Sequence, residues 1–412
     1  DQPVTDSNAA PGAENPVGFM TVDKPSETQE PHWLRQVGWS TQAGPGFRAH
    51  TPWAADFREV NVPMEIEDIQ VSQPGPREVL IRTGAAGICH SDMHFFNGTY
   101  PGKVPMVLGH ESAGVVEEVG SDVHYVKPGD HVITCLSVFC GHCEQCLTGH
   151  LSLCQEPETN RSKEEEPRLS KESQSLTQFA QLGSFAEQML VHEHAIVKIR
   201  EDMPMDRAAL IGCGVTTGFG AVIHTASVEP GSTVAVIGCG GIGLSAINGA
   251  AIAGAARVIA IDMVESKLEL ARKFGATDTV NASDGNAVGE VIEMTGGGVH
   301  YSFEAIGLKI AAEQAFQMLR AGGTATVIGM IPPGDMVTIH GVDFLSEKKI
   351  QGSMMGSNRF RVDMPRFVDF YLQGRLHLDD LVSNRIQLAD INEGMAALET
   401  GEVARSVIMF ND

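Results

Sequence analysis

Between residues 47 and about 199, apolar residues come in short Val/Ile-rich runs cut by Gly, Pro and Asp, as in EVLIRTG, GVVEEVG and GDHVITC. Runs of that length bounded by turn residues predict a β-rich domain. From about 215 to 354 the texture changes. STVAVIGCGG, AARVIAID, DTVNAS, VHYSFEAIG and TATVIGMI alternate with stretches such as SKLELARKFG and IAAEQAFQMLRAGG, whose apolar residues recur at helical spacing. Strands alternating with helices predict βαβ units on a parallel sheet, an α/β, doubly wound domain. Beyond 355 the segments MPRFVDFYLQGRL and LADINEGMAALETGE return to helical periodicity.

Three segments depart from these patterns. Residues 1–46 are polar and proline-rich, with two of the three tryptophans, Trp33 and Trp39, inside them and Trp53 just beyond. They are expected to form an extended arm that docks onto the body or onto a neighbouring subunit. The charged run EPETNRSKEEEPRLSKESQ at 156–174 has no apolar periodicity and is expected to be a solvated surface loop. Residues 234–256 carry no charge and are long enough to cross a bilayer, but their Gly-rich centre and the acid soon after argue for a strand, turn and helix instead.

Composition narrows the function. A 412-residue chain with 42% hydrophobic residues can bury large cores, and its length suits two or three domains. Lys+Arg 29 against Asp+Glu 52 leaves a net charge of −23, which repels a phosphate backbone and disfavours nucleic acid as a partner. The opening residues, starting at Asp1, do not follow the pattern of a secretory leader, and eight cysteines are too few for a disulfide scaffold. A reducing, cytoplasmic compartment is expected.

Gly238, Cys239, Gly240, Gly241, Ile242 and Gly243 spell G-x-G-x-x-G directly after the apolar run TVAVI and before an Ala-rich helix. In that context the first glycine permits a tight turn, the second lets the backbone approach a pyrophosphate, and the third allows helix and strand to pack closely. Asp262 ends the next strand at the distance expected of an acid that binds ribose hydroxyls, and its charge favours NAD over NADP.

Cysteine spacing points to metal. Cys140, Cys143, Cys146 and Cys154 stand as C-x2-C-x2-C-x7-C, four thiolates suited to a closed tetrahedral structural zinc site. Cys89 in GICHSD, His110 and Glu111 in GHESAG, and Cys213 in IGCGVTTG are dispersed, yet two thiolates and one imidazole make up the ligand set of a catalytic zinc with one position open.

Taken together, the G-H-E-x-x-G-x5-G motif at 109–120, the four-cysteine lobe, the glycine fingerprint and Asp262 resemble the zinc-dependent medium-chain alcohol dehydrogenases in order and spacing, over about residues 47–412. The resemblance implies a Rossmann-type domain at 215–354 inserted in a GroES-like, β-rich catalytic domain at 47–214 and 355–412, with the structural zinc lobe at 135–155. It implies catalytic zinc ligands at Cys89, His110 and Cys213, with Glu111 as an acid that approaches the metal and Asp92 orienting His110. Ser91 and His94 resemble the proton relay, running by way of the cofactor ribose. His90 and Arg405 match positions facing the pyrophosphate, Lys267 accompanies Asp262 at the ribose, and Thr217 is a further cofactor position. Cys135 and Cys239 match no ligand.

The family's pocket positions fall on Tyr100, Leu136 and Phe179, with Met330 or Ile331 nearby, which implies a primary or aromatic alcohol or its aldehyde. The acid with which glutathione-dependent formaldehyde dehydrogenases hold their adduct falls on Gly98 here, against such a substrate. The expected cofactors are NAD and two zinc ions per chain. Two alternatives stand beside this: a non-catalytic relative that only binds dinucleotide, and a nicotinoprotein that retains NAD(H) and passes electrons to an external acceptor. The 155–183 loop resembles that of dimeric members, so a homodimer is expected.

Overall fold

The structure, a computed structural model, describes residues 51–399 and 405–410. The expected arm at 1–46 lies outside them. In the first part of the chain, strands β1 (Trp53–Phe57), β2 (Glu78–Gly87), β3 (Glu111–Val119), β4 (His131–Thr134), β5 (Gln188–His192) and β6 (Ile196–Lys198) alternate with turns. A seven-stranded, largely antiparallel sheet runs β6-β4-β3-β2 and continues into two strands from the chain's end, Ser406–Met409 and Asn384–Ile386, while β5 also pairs with β2. The chain thus leaves this sheet, builds another unit, and returns to complete it.

That other unit holds six parallel strands: β7 (Thr233–Ile237), β8 (Arg257–Asp262), β9 (Asp278–Asn281), β10 (Val299–Glu304), β11 (Leu319–Val327) and β12 (Lys349–Gly352). Their order in space is β9-β8-β7-β10-β11-β12, the doubly wound order that reverses between β7 and β10. Ligands of such sheets bind outside the carboxyl ends of the strands at that reversal. The runs VAVI and VIAI are buried on both faces, which is why they read as continuous apolar segments rather than alternating ones.

Two helices carry the site. Helix α1 (His90–Phe96) follows β2 after two residues. Helix α2 (Met205–Thr225) is the one helix among the described residues long and apolar enough to cross a membrane, but 83% of its most apolar stretch is buried inside the protein, so it is a core helix. The expected division at 214/215 falls inside α2, which runs on across it. Residues 234–256 form β7 and the buried, Gly-rich helix α3 (Gly241–Ile252).

The charged run at 156–174 is a correction. It is not only a solvated loop: Leu169–Lys171 forms a strand, and Arg161 and Arg168 reach back to the buried carboxylate of Glu78 on β2. Arg168 Nε donates to Glu78 Oε1 at 2.7 Å, with both side chains 7% exposed. A segment anchored by buried ion pairs carries no apolar periodicity, so its order was not visible in the hydrophobic pattern.

Candidate functional site

The end of β2 delivers Cys89, which N-caps α1; the residue before β3 is His110; and Cys213 sits in α2. Around Cys213 the helix widens into a single π-type turn, Ile211–Val215, a distortion frequent at functional sites. The Cys89, His110 and Cys213 ligand atoms lie within 4.8 Å of one another, all buried. Asp92 organises the cluster from within α1. Its Oδ2 accepts from Cys89 N at 3.0 Å, and its Oδ1 accepts from Gly109 N at 3.0 Å and lies 3.1 Å from His110 Nδ1. One buried carboxylate therefore holds the helix start, the loop before β3 and the imidazole. His110 Nε2 is left buried with no partner.

The charge balance depends on Arg405, which is buried at 3% exposure. Its Nη2 lies 3.8 Å from Cys89 Sγ and its Nε 3.4 Å from Glu111 Oε2. Burial pushes Glu111 up to about 7, with Arg405 pulling the other way. Cys89 is held well below the usual thiol range, first by its hydrogen bond with Cys213 and then, against burial, by Arg405 and His110.

In the second cluster, the ligand atoms of Cys140, Cys143, Cys146 and Cys154 also lie within 4.8 Å of one another. Burial raises the Cys140 thiol, but N–H donors of His142 and Cys143, at 3.4 and 3.3 Å, outweigh it and lower the pKa to about 6. Cys135 and Cys239 lie in neither cluster, and burial drives both thiols upward, Cys135 to about 11.

The glycine loop joins β7 to α3. Gly238 has φ +95°, open to glycine at little cost, and a Cβ on Gly243 would lie 1.7 Å from Gly238 O, so no other residue fits there. A Cβ on Gly240 would meet nothing within 4 Å, leaving that backbone free for a ligand to approach. Asp262 Oδ2 accepts from Cys239 N at 2.8 Å, binding the end of β8 to the loop.

Residues 75–201 match the alcohol dehydrogenase GroES-like domain and residues 241–372 the zinc-binding dehydrogenase domain. The chain is 38% identical to a probable S-(hydroxymethyl)glutathione dehydrogenase of Schizosaccharomyces pombe, over 85% of this chain and 94% of that one. It is equally 38% identical to a class-3 alcohol dehydrogenase of Drosophila melanogaster, over 87% and 97%. Among solved structures, benzyl alcohol dehydrogenase from Acinetobacter calcoaceticus superposes with a TM-score of 0.83 at 32% identity, over 87% of this chain and 99% of that one. The chain belongs to the zinc-dependent medium-chain alcohol dehydrogenases.

The residues fit what this family of oxidoreductases holds. Two thiols and a partnerless imidazole nitrogen whose ring is fixed by a carboxylate suit an open zinc site, and four clustered thiols suit a closed one. Near the first cluster, Ser91 Oγ lies 3.8 Å from Cys89 Sγ and donates to Met330 Sδ at 3.4 Å. His94 stands one turn along α1 with its Nδ1 buried and without a partner. Burial lowers its pKa below the ordinary imidazole value. The Phe179 and His110 rings meet nearly at right angles, with centroids 5.3 Å apart at 86°, and Tyr100 and Leu136 are half-buried.

On the cofactor side, Thr217 is buried in α2, its hydroxyl 3.2 Å from Met355 Sδ. Lys267 is half-buried near the start of helix α4 (Glu265–Lys273), His90 is exposed at the start of α1, and Ile242 opens α3 beside Gly241. A Cβ on Gly241 would lie 2.8 Å from Arg405 Cζ, so this arginine joins the Cys89, His110 and Cys213 cluster to the glycine loop.

One positioning group was missed. Glu304, fully buried at the end of β10, accepts from Ile306 N at 2.8 Å and Gly307 N at 2.6 Å through one oxygen and from Gly329 N at 3.1 Å through the other. It holds both loops beside the sheet's reversal point. An acid closing an apolar strand was the only sequence signal.

Proposed function

We propose that this chain oxidises a primary or aromatic alcohol, and reduces the matching aldehyde, with NAD, and that it holds two zinc ions, one on Cys89, His110 and Cys213 and one on Cys140, Cys143, Cys146 and Cys154. The convergence of the first three side chains around a buried imidazole nitrogen that lacks a partner carries this reading. Zinc held there supplies a Lewis acid that makes an alcohol oxygen more acidic, and NAD supplies the hydride acceptor.

The chain's own residues do the rest. Asp92 fixes the ring of His110, and Arg405 offsets the negative charge of Cys89 and Glu111. Ser91 is the inner group of a relay that runs by way of the cofactor ribose to His94, the outer group, whose neutral, proton-accepting form is favoured by burial. Asp262 and Lys267 receive the ribose, His90, Arg405 and the glycine loop the pyrophosphate, and Thr217 lines the cofactor's path.

Tyr100, Leu136, Phe179 and Met330 make the pocket apolar, which favours an alkyl or benzylic alcohol. The relatives' names raise a glutathione adduct as an alternative. Gly98 speaks against it: at φ +76°, with a Cβ that would lie 2.9 Å from Val60 Cγ1, it offers no acid and little room for one. The test is NAD-dependent turnover of benzyl alcohol compared with S-(hydroxymethyl)glutathione; preference for the glutathione adduct overturns the substrate class.

A further inference from the structure

Among the described residues, the donors to the buried side chain of Glu304 are all backbone N–H groups of two loops, Ile306 to Leu308 after β10 and Gly329 after β11. The loops meet backbone to backbone: a Cβ on Gly329 would lie 2.0 Å from Gly307 N. No side chain separates them there, so the carboxylate that bonds both is what sets their spacing. Burying such a group costs free energy unless it is hydrogen-bonded, and closing the end of a strand does not require one.

The two loops lead to different parts of the site. Residue 305 is fixed to the sheet on its own, since Ala305 N donates to Ile237 O at 2.9 Å, and Ile306 lies against the glycine loop, where a Cβ on Gly238 would be 2.5 Å from Ile306 Cγ1. The loop after β11 reaches α1 instead. Ser91 Oγ donates to Met330 Sδ at 3.4 Å, and Tyr100 Oη, just beyond α1, donates to Ile331 O at 2.6 Å. Ser91 Oγ is itself 3.8 Å from Cys89 Sγ, so this loop comes within one side chain of the Cys89, His110 and Cys213 cluster.

We propose that Glu304 is a positioning residue for the nicotinamide half of NAD: by tying Gly329 to Ile306 and Gly307, it holds the loop beside Ser91 at the spacing that hydride transfer needs. This rests on the functional reading above. Hydride passes only between atoms in near contact, and a displacement of about 1 Å can cost 10²-fold in rate. The adenosine half is held elsewhere, by Asp262 and the glycine loop, and does not depend on the tie.

Glu304→Gln keeps the shape of the side chain. Its one oxygen suits the place where Ile306 N and Gly307 N converge, which leaves its NH2 group facing Gly329 N, donor against donor. The loop after β11 is then pushed away while the loop after β10 stays tied. Calorimetric titration of the zinc-loaded protein with NAD and with ADP-ribose, which lacks the nicotinamide, reads the two halves of the cofactor separately. In the variant, affinity for NAD relative to ADP-ribose is expected to fall by about threefold to tenfold, and kcat for benzyl alcohol to fall with its KM little changed. Should Glu304→Gln not fold, Glu304→Asp, too short to bond both loops, carries the same comparison with the same expected direction. An equal loss on both ligands, or no loss on either, overturns the positioning role. An unmodified protein that binds neither ligand overturns the functional reading on which it rests.

Discussion

Asp262 accepts the backbone N–H of Cys239 at 2.8 Å through Oδ2, while its Oδ1 accepts from Val264 N at 3.0 Å. The acid proposed to bind the ribose is thus also the tie between the end of β8 and the glycine loop. The two roles separate by substitution. Asp262→Asn keeps an acceptor but removes the charge that repels a 2′-phosphate, so it should relax the preference for NAD over NADP while NAD still binds. Asp262→Gly removes the tie as well and should also weaken NAD. Cofactor titrations followed by intrinsic fluorescence check both, and equal affinity of the unmodified protein for the two cofactors would refute the assignment.

The two thiol clusters predict about two zinc ions per chain. Cys146→Ser should remove one and damage folding, because structural zinc in small modules contributes on the order of 10–16 kcal/mol of apparent binding energy. Elemental analysis of both proteins decides this, and an absence of zinc from the unmodified protein would end the idea.

His94→Gln should slow alcohol oxidation by up to about 10²-fold, most strongly below about pH 7–8, where solvent is a poor proton acceptor. Burial lowers the His94 pKa, so the neutral, accepting form persists below the ordinary value of 6.5, and the unmodified enzyme should lose rate only on the acid side of it. Zinc content and NAD affinity should change little, and added base should partly restore the rate. A pH profile identical in the variant, with chemistry limiting turnover, would make His94 a bystander.

Glu78 connects the charged 156–174 run to stability. Burial raises its pKa, but Arg161 and Arg168 outweigh burial and hold it below the usual 4.5. A carboxylate whose folded pKa is lowered contributes its stability in full above the unfolded pKa and loses it as pH falls through the folded one. Glu78→Gln should therefore cost on the order of 3–5 kcal/mol at neutral pH, since it leaves two arginines uncompensated. The difference should shrink as pH drops below about 4.5. Urea denaturation across that range checks the sign.

The parallel sheet was legible because its strands are buried on both faces and therefore apolar throughout. The four-cysteine cluster was legible because thiolates at metal spacing have few other uses, and the dispersed one because Cys89, His110 and Cys213 stand in motifs that resemble those of a known family. Arg161 and Arg168 were misread as solvated because a buried ion pair resembles a surface one in sequence. Helix α2 was not read as a helix, since in a fully buried helix such as IGCGVTTGFGAVI no polar face marks the 3.6-residue period. Glu304 and the bond from Tyr100 to Ile331 join residues far apart in sequence, with a backbone group as one partner, and backbone carries no letter.

The most direct test is the appearance of NADH from benzyl alcohol with the purified, zinc-loaded protein, run beside Cys213→Ser. The account predicts NADH and benzaldehyde in equal amounts from the unmodified chain and a fall to background in the variant, which retains the Cys140 cluster and the glycine loop. An unmodified chain that carries zinc and binds NAD yet forms no NADH from any primary or aromatic alcohol would contradict it.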